Sequence, residues 1–202
     1  MAESFNCDSL DIVLPKRQAQ SHKGSYGRVA VIAGSKGMGG AGILASEASL
    51  FCGSGLVSLY THSSNAQASL QRNPEIMTIG VDSHENISGD FDVILIGPGF
   101  SDNKWSKELS ECISLDAPYG LIIDAGALTY TKKIQSQNNK NLILTPHPGE
   151  AAALLGVSAD EIQLNREDNA IDIAKKYNAS AVVLKGHNTL VYIKSEDKTF
   201  IC

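Results

Sequence analysis

Asn141-Leu142-Ile143-Leu144-Thr145-Pro146-His147-Pro148-Gly149-Glu150 decides how this chain folds. Its apolar first half reads as a short buried strand. Pro146 and Pro148 each lack an N–H and fix φ, so neither the ladder nor a helix is expected to run through them. His147 is clamped between the two. Gly149 relieves the backbone, and Glu150-Ala151-Ala152-Ala153-Leu154-Leu155 reads as a helix with an acidic first turn. Strand, sharp turn and helix form the repeating unit of an open α/β sheet. A histidine held at a strand's carboxyl end faces the place where such sheets bind ligands.

The same unit recurs outward in both directions. Before it, residues 121–123 read as a strand running into Asp124-Ala125-Gly126-Ala127-Leu128. Earlier still, Phe91-Asp92-Val93-Ile94-Leu95-Ile96 is a near-continuous apolar strand of the kind buried on both faces. It ends in Gly97-Pro98-Gly99-Phe100, where glycine lets a ligand approach the backbone, and a helix through Trp105, Leu109 and Ile113 follows. Residues 28–33 form a strand that enters the glycine-rich run from Gly34 to Gly42. The helix behind it carries Leu44, Ala48 and Phe51 on one face and stops at Gly53. A strand over residues 56–60 and a short apolar run over 76–79 complete this half. Beyond the opening stretch, Asn165 with Asp168 resembles a loose capping box. Ala170, Ile173, Ala174 and Tyr177 form the buried stripe of the helix it starts. Residues 181–184 are a strand entering Lys185-Gly186-His187-Asn188-Thr189, residues 190–193 return as a β-strand, and residues 199–202 begin another. Strands alternating with helices imply an α/β fold with a mostly parallel sheet covered on both faces. Loops 34–42, 97–100, 124–128, 145–150 and 185–189 would then share one sheet edge, and that convergence marks a site.

Individual motifs are more ambiguous. Gly37-x-Gly39-x-x-Gly42 matches the dinucleotide fingerprint, but the next strand ends in Thr61-His62-Ser63 with no acid before Glu75. A Rossmann dehydrogenase is therefore disfavoured, and no Gly-Lys-Ser/Thr follows to make a P-loop. The glycines either cradle an anion at the helix start or only allow tight strand–helix packing. Asp124 is either a functional carboxylate or the cap of the next helix.

At 202 residues with 43% hydrophobic and 19% charged residues, the chain reads as a single domain, 1–202, with residues 1–20 an extension that docks on the body. Ile12, Val13 and Leu14 are the apolar cluster of that extension. A net charge of −5 argues against a nucleic-acid footprint. No apolar run approaches the roughly 20 residues of a membrane span, and the first residues do not read as a signal peptide. Cys7, Cys52, Cys112 and Cys202 lie far apart, as reduced thiols of a cytoplasmic protein would.

His22-Lys23-Gly24-Ser25-Tyr26-Gly27, the 34–42 loop, Gly97-Pro98-Gly99, Thr145-Pro146-His147-Pro148-Gly149-Glu150 and Lys185-Gly186-x-x-Thr189 occur in the order seen in the ADP-dependent NAD(P)H-hydrate dehydratases, and the chain resembles that family over residues 20–202. The Ser-Tyr form of the first motif is similar to the bacterial, ADP-using branch. The resemblance implies a three-layer αβα ribokinase-like fold. It implies repair of the S epimer of hydrated NADH or NADPH to NAD(P)H, with ADP as co-substrate, Mg²⁺, and release of AMP and phosphate. It places the hydrated dinucleotide against Ala41, Gly97, Gly99 and His147, and the adenine nucleotide against Lys185, Gly186, His187, Asn188 and Thr189. Further substrate or phosphate contacts are expected from Tyr26, Lys36, Gly39, Asp124 and Glu150. No residue is assigned to a metal. A homotetramer is expected from the family.

Two departures bear on the chemistry. Where many relatives carry Asp-Ala-Asp-Ala-Leu, this chain has Asp124-Ala125-Gly126-Ala127-Leu128. The Gly-rich segment ending in Gly-Asp, whose Asp serves as base, is expected downstream of Cys202. The fold is accordingly expected to be incomplete at its carboxyl end and the 202-residue chain to be inactive alone. Two other readings stand beside the enzyme: a non-catalytic nucleotide-binding fragment or subunit, and a ribokinase-like small-molecule kinase.

Overall fold

The computed structural model describes residues 2–4, 16–82, 87, 89–110, 119–136 (backbone alone over 132–136) and 141–202. Among these, ten strands form one sheet. In chain order they are β1 (Glu3–Ser4), β2 (Arg28–Ile32), β3 (Leu56–Thr61), β4 (Met77–Gly80), β5 (Val93–Ile96), β6 (Gly120–Ile123), β7 (Leu142–Leu144), β8 (Ala181–Leu184), β9 (Leu190–Ile193) and β10 (Lys198–Ile201). Their spatial order is β1-β10-β9-β8-β7-β6-β5-β2-β3-β4. From β8 to β4 all neighbours pair in parallel, whereas β9 is antiparallel to both β8 and β10. The predicted β-return is thus the antiparallel hairpin that closes the parallel run. The docking expected of the amino-terminal extension holds for β1, which lies parallel to β10 with Glu3 opposite Phe200. Ile12, Val13 and Leu14 fall outside the described residues.

The helices are α1 (Gly39–Phe51), α2 (Ser63–Arg72), α3 (Lys104–Leu109), α4 (Pro148–Leu155), α5 (Ala159–Leu164) and α6 (Arg166–Tyr177), with a 3-10 helix over Ala125–Ser136. Successive strand residues point to opposite faces, and both faces of the sheet are filled. Ala30 and Ile32 of β2 join a core with Ile94, Ile96, Ile123, Leu144 and the inner faces of α4 and α6. Val31, Val57 and Leu59 join a second core with Ile43 of α1. This double burial is the physical reason the strands read as continuous apolar runs.

Three local expectations are corrected. Leu44 and Phe51 of α1 are 62% and 78% exposed, and the face against the sheet is instead Gly42, Ile43, Ser46 and Glu47. Small residues let α1 lie close: a side chain at Gly42 would press on Leu59 Cδ1 and Ala33 Cβ. Glu47 is tolerated there because Arg72 Nε donates to both of its oxygens, at 3.0 and 3.1 Å. Helix α4 begins at Pro148 itself, whose missing N–H costs nothing at the first helical position. Asn165 makes no side-chain cap, and the capping box lies one helix earlier, between Ser158 and Glu161 at the start of α5. The stripe Ala170, Ile173, Ala174 and Tyr177 is buried as expected. Helix α2 was not legible, because the residues it buries, Asn65 and Ser69, are polar.

Candidate functional site

Strand order reverses at β2, which has β5 on one side and β3 on the other. Loops 34–42 and 97–100, after β2 and β5, therefore flank the crevice where α/β sheets of this kind bind ligands. The loops are tied to one another along the edge. Gly34 N donates to Pro98 O at 2.9 Å, Ser35 N to Gly99 O at 3.0 Å, Asp124 N to Ile96 O at 3.0 Å, Thr145 N to Ile123 O at 3.2 Å, and Lys185 N to Pro146 O at 2.9 Å. Gly97 has φ +118°, and a Cβ there would fall 1.8 Å from Asp124 O. At Gly99, with φ +69°, a Cβ would meet Met38 O at 2.8 Å and Ala41 Cβ at 3.0 Å. Ala41 and the Gly97-Pro98-Gly99 turn thus form one continuous wall.

Asp124 is not the cap of the following helix through its side chain. Its Oδ1 accepts from Thr145 Oγ1 at 2.7 Å and from Lys185 Nζ at 2.6 Å. Lys185 Nζ also stands 3.9 Å from Glu150 Oε2. Glu150 Oε2 accepts from His147 N at 2.7 Å, and Glu150 Oε1 lies 3.4 Å from His147 Nε2. One polar chain, Thr145–Asp124–Lys185–Glu150–His147, therefore links the wall expected to hold nucleotide with the wall expected to hold substrate.

His147 is the N-cap of α4. Its Nδ1 accepts from Gly149 N at 3.0 Å and Glu150 N at 3.3 Å. A nitrogen that accepts backbone N–H groups carries no hydrogen, so in the neutral ring the hydrogen is on Nε2. His147 consequently offers a donor to a ligand rather than a lone pair to a proton. The ring is rigidly aimed because the capping box holds it from both sides. Beside His147 and Glu150 opens a cavity of about 370 Å³, backed by Leu128, Ala153, Leu154 and Tyr177. Burial raises the Tyr177 phenol above its ordinary value of 10.0, and its hydroxyl donates to Leu154 O at 3.0 Å.

The 185–189 loop is a tight turn in which Thr189 Oγ1 donates to Gly186 O at 3.0 Å and Asn188 has φ +56°. Arg166, to which no sequence signal pointed, braces this loop: its Nη2 donates to Leu184 O at 3.1 Å and Asn188 O at 3.2 Å. His187 and Asn188 are exposed at the tip. Lys36 is exposed in the turn before α1. Gly39 faces inward, since a Cβ there would lie 2.6 Å from the Asn65 side chain. Asn65, also unforeseen, donates from Nδ2 to Gly34 O at 2.8 Å and Ser35 O at 3.2 Å and so fixes the glycine loop.

Tyr26 is the expected contact that the structure moves elsewhere. The 3-10 turn Lys23–Tyr26 precedes β2, and Gly55 N, just before β3, donates to Tyr26 O at 3.0 Å. Both strands start there, so Tyr26 lies at the amino edge of the sheet. The five residues of β2 put it roughly 16 Å from the loops at the carboxyl edge.

Among the described residues no group of three or more His, Cys, Asp or Glu converges to hold a metal. Among the described residues no helix is long and apolar enough to cross a membrane.

The sequence profile of the family described as NAD(P)H-hydrate dehydratase matches residues 29–202. The bifunctional NAD(P)H-hydrate repair enzyme Nnr of Coxiella burnetii is 38% identical over 188 residues, which are 91% of this chain and 38% of that protein. The ADP-dependent (S)-NAD(P)H-hydrate dehydratase of Staphylococcus aureus is 36% identical over 192 residues, 92% of this chain and 68% of that enzyme. Among solved structures, a ribokinase-like superfamily protein from Enterococcus faecalis superposes with TM-score 0.85 at 28% identity, covering 99% of this chain and 71% of the other. The ADP/ATP-dependent NAD(P)H-hydrate dehydratase of Bacillus subtilis, co-crystallised with ATP and Mg²⁺, gives TM-score 0.78 at 30% identity over 93% of this chain and 68% of that one. The chain thus spans between about two fifths and seven tenths of the proteins it matches. With its mostly parallel, ribokinase-like sheet and its loops in the family's order, this chain belongs to the NAD(P)H-hydrate dehydratase family.

Proposed function

We propose that residues 1–202 act as one domain, the substrate- and nucleotide-binding body of an ADP-dependent (S)-NAD(P)H-hydrate dehydratase. The observation that carries this reading is the polar chain in which Lys185 lies between Asp124 and Glu150, because it joins the two loops the reaction needs. A hydroxyl on the hydrated nicotinamide ring leaves poorly. In the proposed reaction the hydroxyl gives its proton to a base that the family resemblance expects downstream of these residues, its oxygen attacks the terminal phosphorus of ADP, and the phosphorus–oxygen bond to AMP breaks. The carbon–oxygen bond of the resulting phosphate ester then breaks, phosphate leaves, and loss of a proton from the neighbouring ring carbon restores the double bond. The products are NAD(P)H, AMP and phosphate.

Each residue has a role in keeping with its geometry. Lys185 exchanges its carboxylate partner for the nucleotide's phosphates, a charge-assisted contact of the strong kind. Gly186, His187, Asn188 and Thr189 line the nucleotide. Ala41, Gly97 and Gly99 line the dinucleotide, and His147 donates from Nε2 to its nicotinamide end. The residues fit a Mg²⁺ that arrives on the nucleotide, since such ions take one or two carboxylates plus phosphates rather than a protein cage. Asp124 and Glu150, beside Lys185, are the carboxylates that would face it, and the ion would offset phosphate charge. A cytoplasmic location and a homotetramer belong to the same reading.

The test is to give the protein the S epimer of hydrated NADH with and without ADP and to follow NADH absorbance together with AMP release. Supplied with the downstream Gly-Asp segment that the family resemblance expects, the body is predicted to recover NADH in step with AMP. Recovery that ignores ADP, or a phosphorylated product that accumulates without water loss, contradicts it. The second of these outcomes would identify a small-molecule kinase.

A further inference from the structure

We propose a second small-molecule site at the amino edge of the sheet, built by the first glycine motif and selective for phosphate-bearing anions. The motif His22-Lys23-Gly24-Ser25-Tyr26-Gly27 stands too far from the carboxyl-edge loops to serve them, yet its construction is as constrained as theirs. A Cβ at Gly55 would fall 1.6 Å from Lys23 O, and Gly27 has φ +87°. Gly55 N donates to the carbonyls of both Tyr26 and Gly27, at 3.0 and 3.2 Å. This pinning holds the Lys23–Tyr26 turn in one place against the start of β3.

The turn forms one wall of a cavity of about 480 Å³ whose lining includes Arg17, His22, Lys23, Tyr26, Leu50 and Glu75. That volume lies within the range of small-molecule sites. The Arg17 guanidinium lies 4.4 Å from the centre of the Tyr26 ring. The Tyr26 hydroxyl is held by Ser21 Oγ, and Ser21 Oγ in turn contacts Gln18 O at 2.6 Å. A guanidinium stacked on an aromatic ring has already lost most of its rotamer freedom, and it presents its fork of N–H donors edge-on. Among the described residues neither Arg17 nor Lys23 makes an ion pair. In a chain of net charge −5, two open cations and a histidine around a cavity set against a single acid form a local inversion of sign. The fork of Arg17 matches two oxygens of a phosphate, Lys23 adds a point charge, and Tyr26 with Leu50 gives the apolar remainder of the ligand a surface.

The experiment is an amide NMR titration of the whole protein with pyrophosphate and, separately, with AMP, at ionic strength matched with sodium chloride. Saturable shifts are expected at Ser21, Lys23, Gly24, Gly27 and Gly55 with pyrophosphate. They are separate from any at residues 185–189, and chloride alone does not reproduce them. Arg17→Gln with Lys23→Gln, both at exposed positions, should weaken the amino-edge response at least about tenfold, the scale of one lost charge-assisted contact, while leaving AMP shifts at residues 185–189 in place. AMP shifting both sets would mark the ligand class as nucleotides, and pyrophosphate alone shifting the first set would mark it as simpler phosphate esters. Amides of the motif that stay still, that answer equally to chloride, or that titrate unchanged in the double variant overturn the proposal. Because it makes no use of catalysis, it stands or falls apart from the dehydratase reading.

Discussion

The carboxyl and amino edges of the sheet are pinned by the same device and left in opposite electrostatic states. At the carboxyl edge Gly97 lets the loop after β5 press against Asp124 O, and at the amino edge Gly55 lets the turn before β2 press against the start of β3. There the likeness ends. Lys185 is held by Asp124 at 2.6 Å with Glu150 nearby, so its charge is balanced within the fold. Arg17 is held by an aromatic ring, which orients it without balancing it. A cation with a carboxylate partner can trade that partner for a phosphate, and two loops feel the trade because the same network reaches His147. A cation oriented but unbalanced has no internal contact to give up. The first arrangement suits a reaction that must sense two ligands together, and the second suits simple capture of an anion.

Breaking the glycines should show how much each edge contributes to the fold. Gly97→Ala places a Cβ against a backbone carbonyl at positive φ, and a loss on the order of 3–4 kcal/mol is expected. Gly55→Ala places a Cβ against the Lys23 carbonyl but adds no positive-φ strain, and a smaller loss, on the order of 2–3 kcal/mol, is expected. Urea unfolding of the two variants measures the order, and a larger loss at Gly55 would mean the amino edge is the stiffer one.

His147 allows a finer cut at the carboxyl edge. His147→Ala removes the cap of α4 and should cost about 1 kcal/mol. His147→Asn keeps a capping acceptor but loses the Nε2 donor, so stability should be largely retained while NADPH binding weakens. Equal NADPH affinity in His147→Asn and wild type would remove the histidine from the substrate wall.

The smallest effect is set by pH. Burial places the folded-state value of Tyr177 above the ordinary 10.0. The contribution of the neutral phenol to stability is therefore whole below about pH 10 and is lost as pH rises through the higher folded value. Because Tyr177 donates to Leu154 O, this loss loosens α6 against α4 behind His147. The unfolding midpoint should decline as pH rises above about 10, and less steeply in Tyr177→Phe.

The unit of strand, turn and helix around His147 was legible because prolines and glycines punctuate it and its strand is apolar. The α6 stripe was legible because its burial follows the helical period. Helix α1 misled, since Leu44 and Phe51 face outward and the residues it buries are Ile43 with Gly42, Ser46 and a paired Glu47, a packing set by the sheet rather than by periodicity. Tyr26 directly precedes the strand predicted over 28–33, so its place at the amino edge was legible, and only the family resemblance put it among the site contacts. Arg166 and Asn65 act through backbone carbonyls of distant loops, contacts that leave no trace in local pattern.

The central claim is that the carboxyl edge binds an adenine nucleotide through Lys185, drawn away from Asp124. Calorimetric titration of AMP into wild type and Lys185→Met tests it most directly. The account predicts saturable binding to wild type and affinity weaker by about ten- to a hundredfold in the variant, the loss of one charge-assisted contact. Equal affinity in the two proteins, or none in wild type, would contradict it.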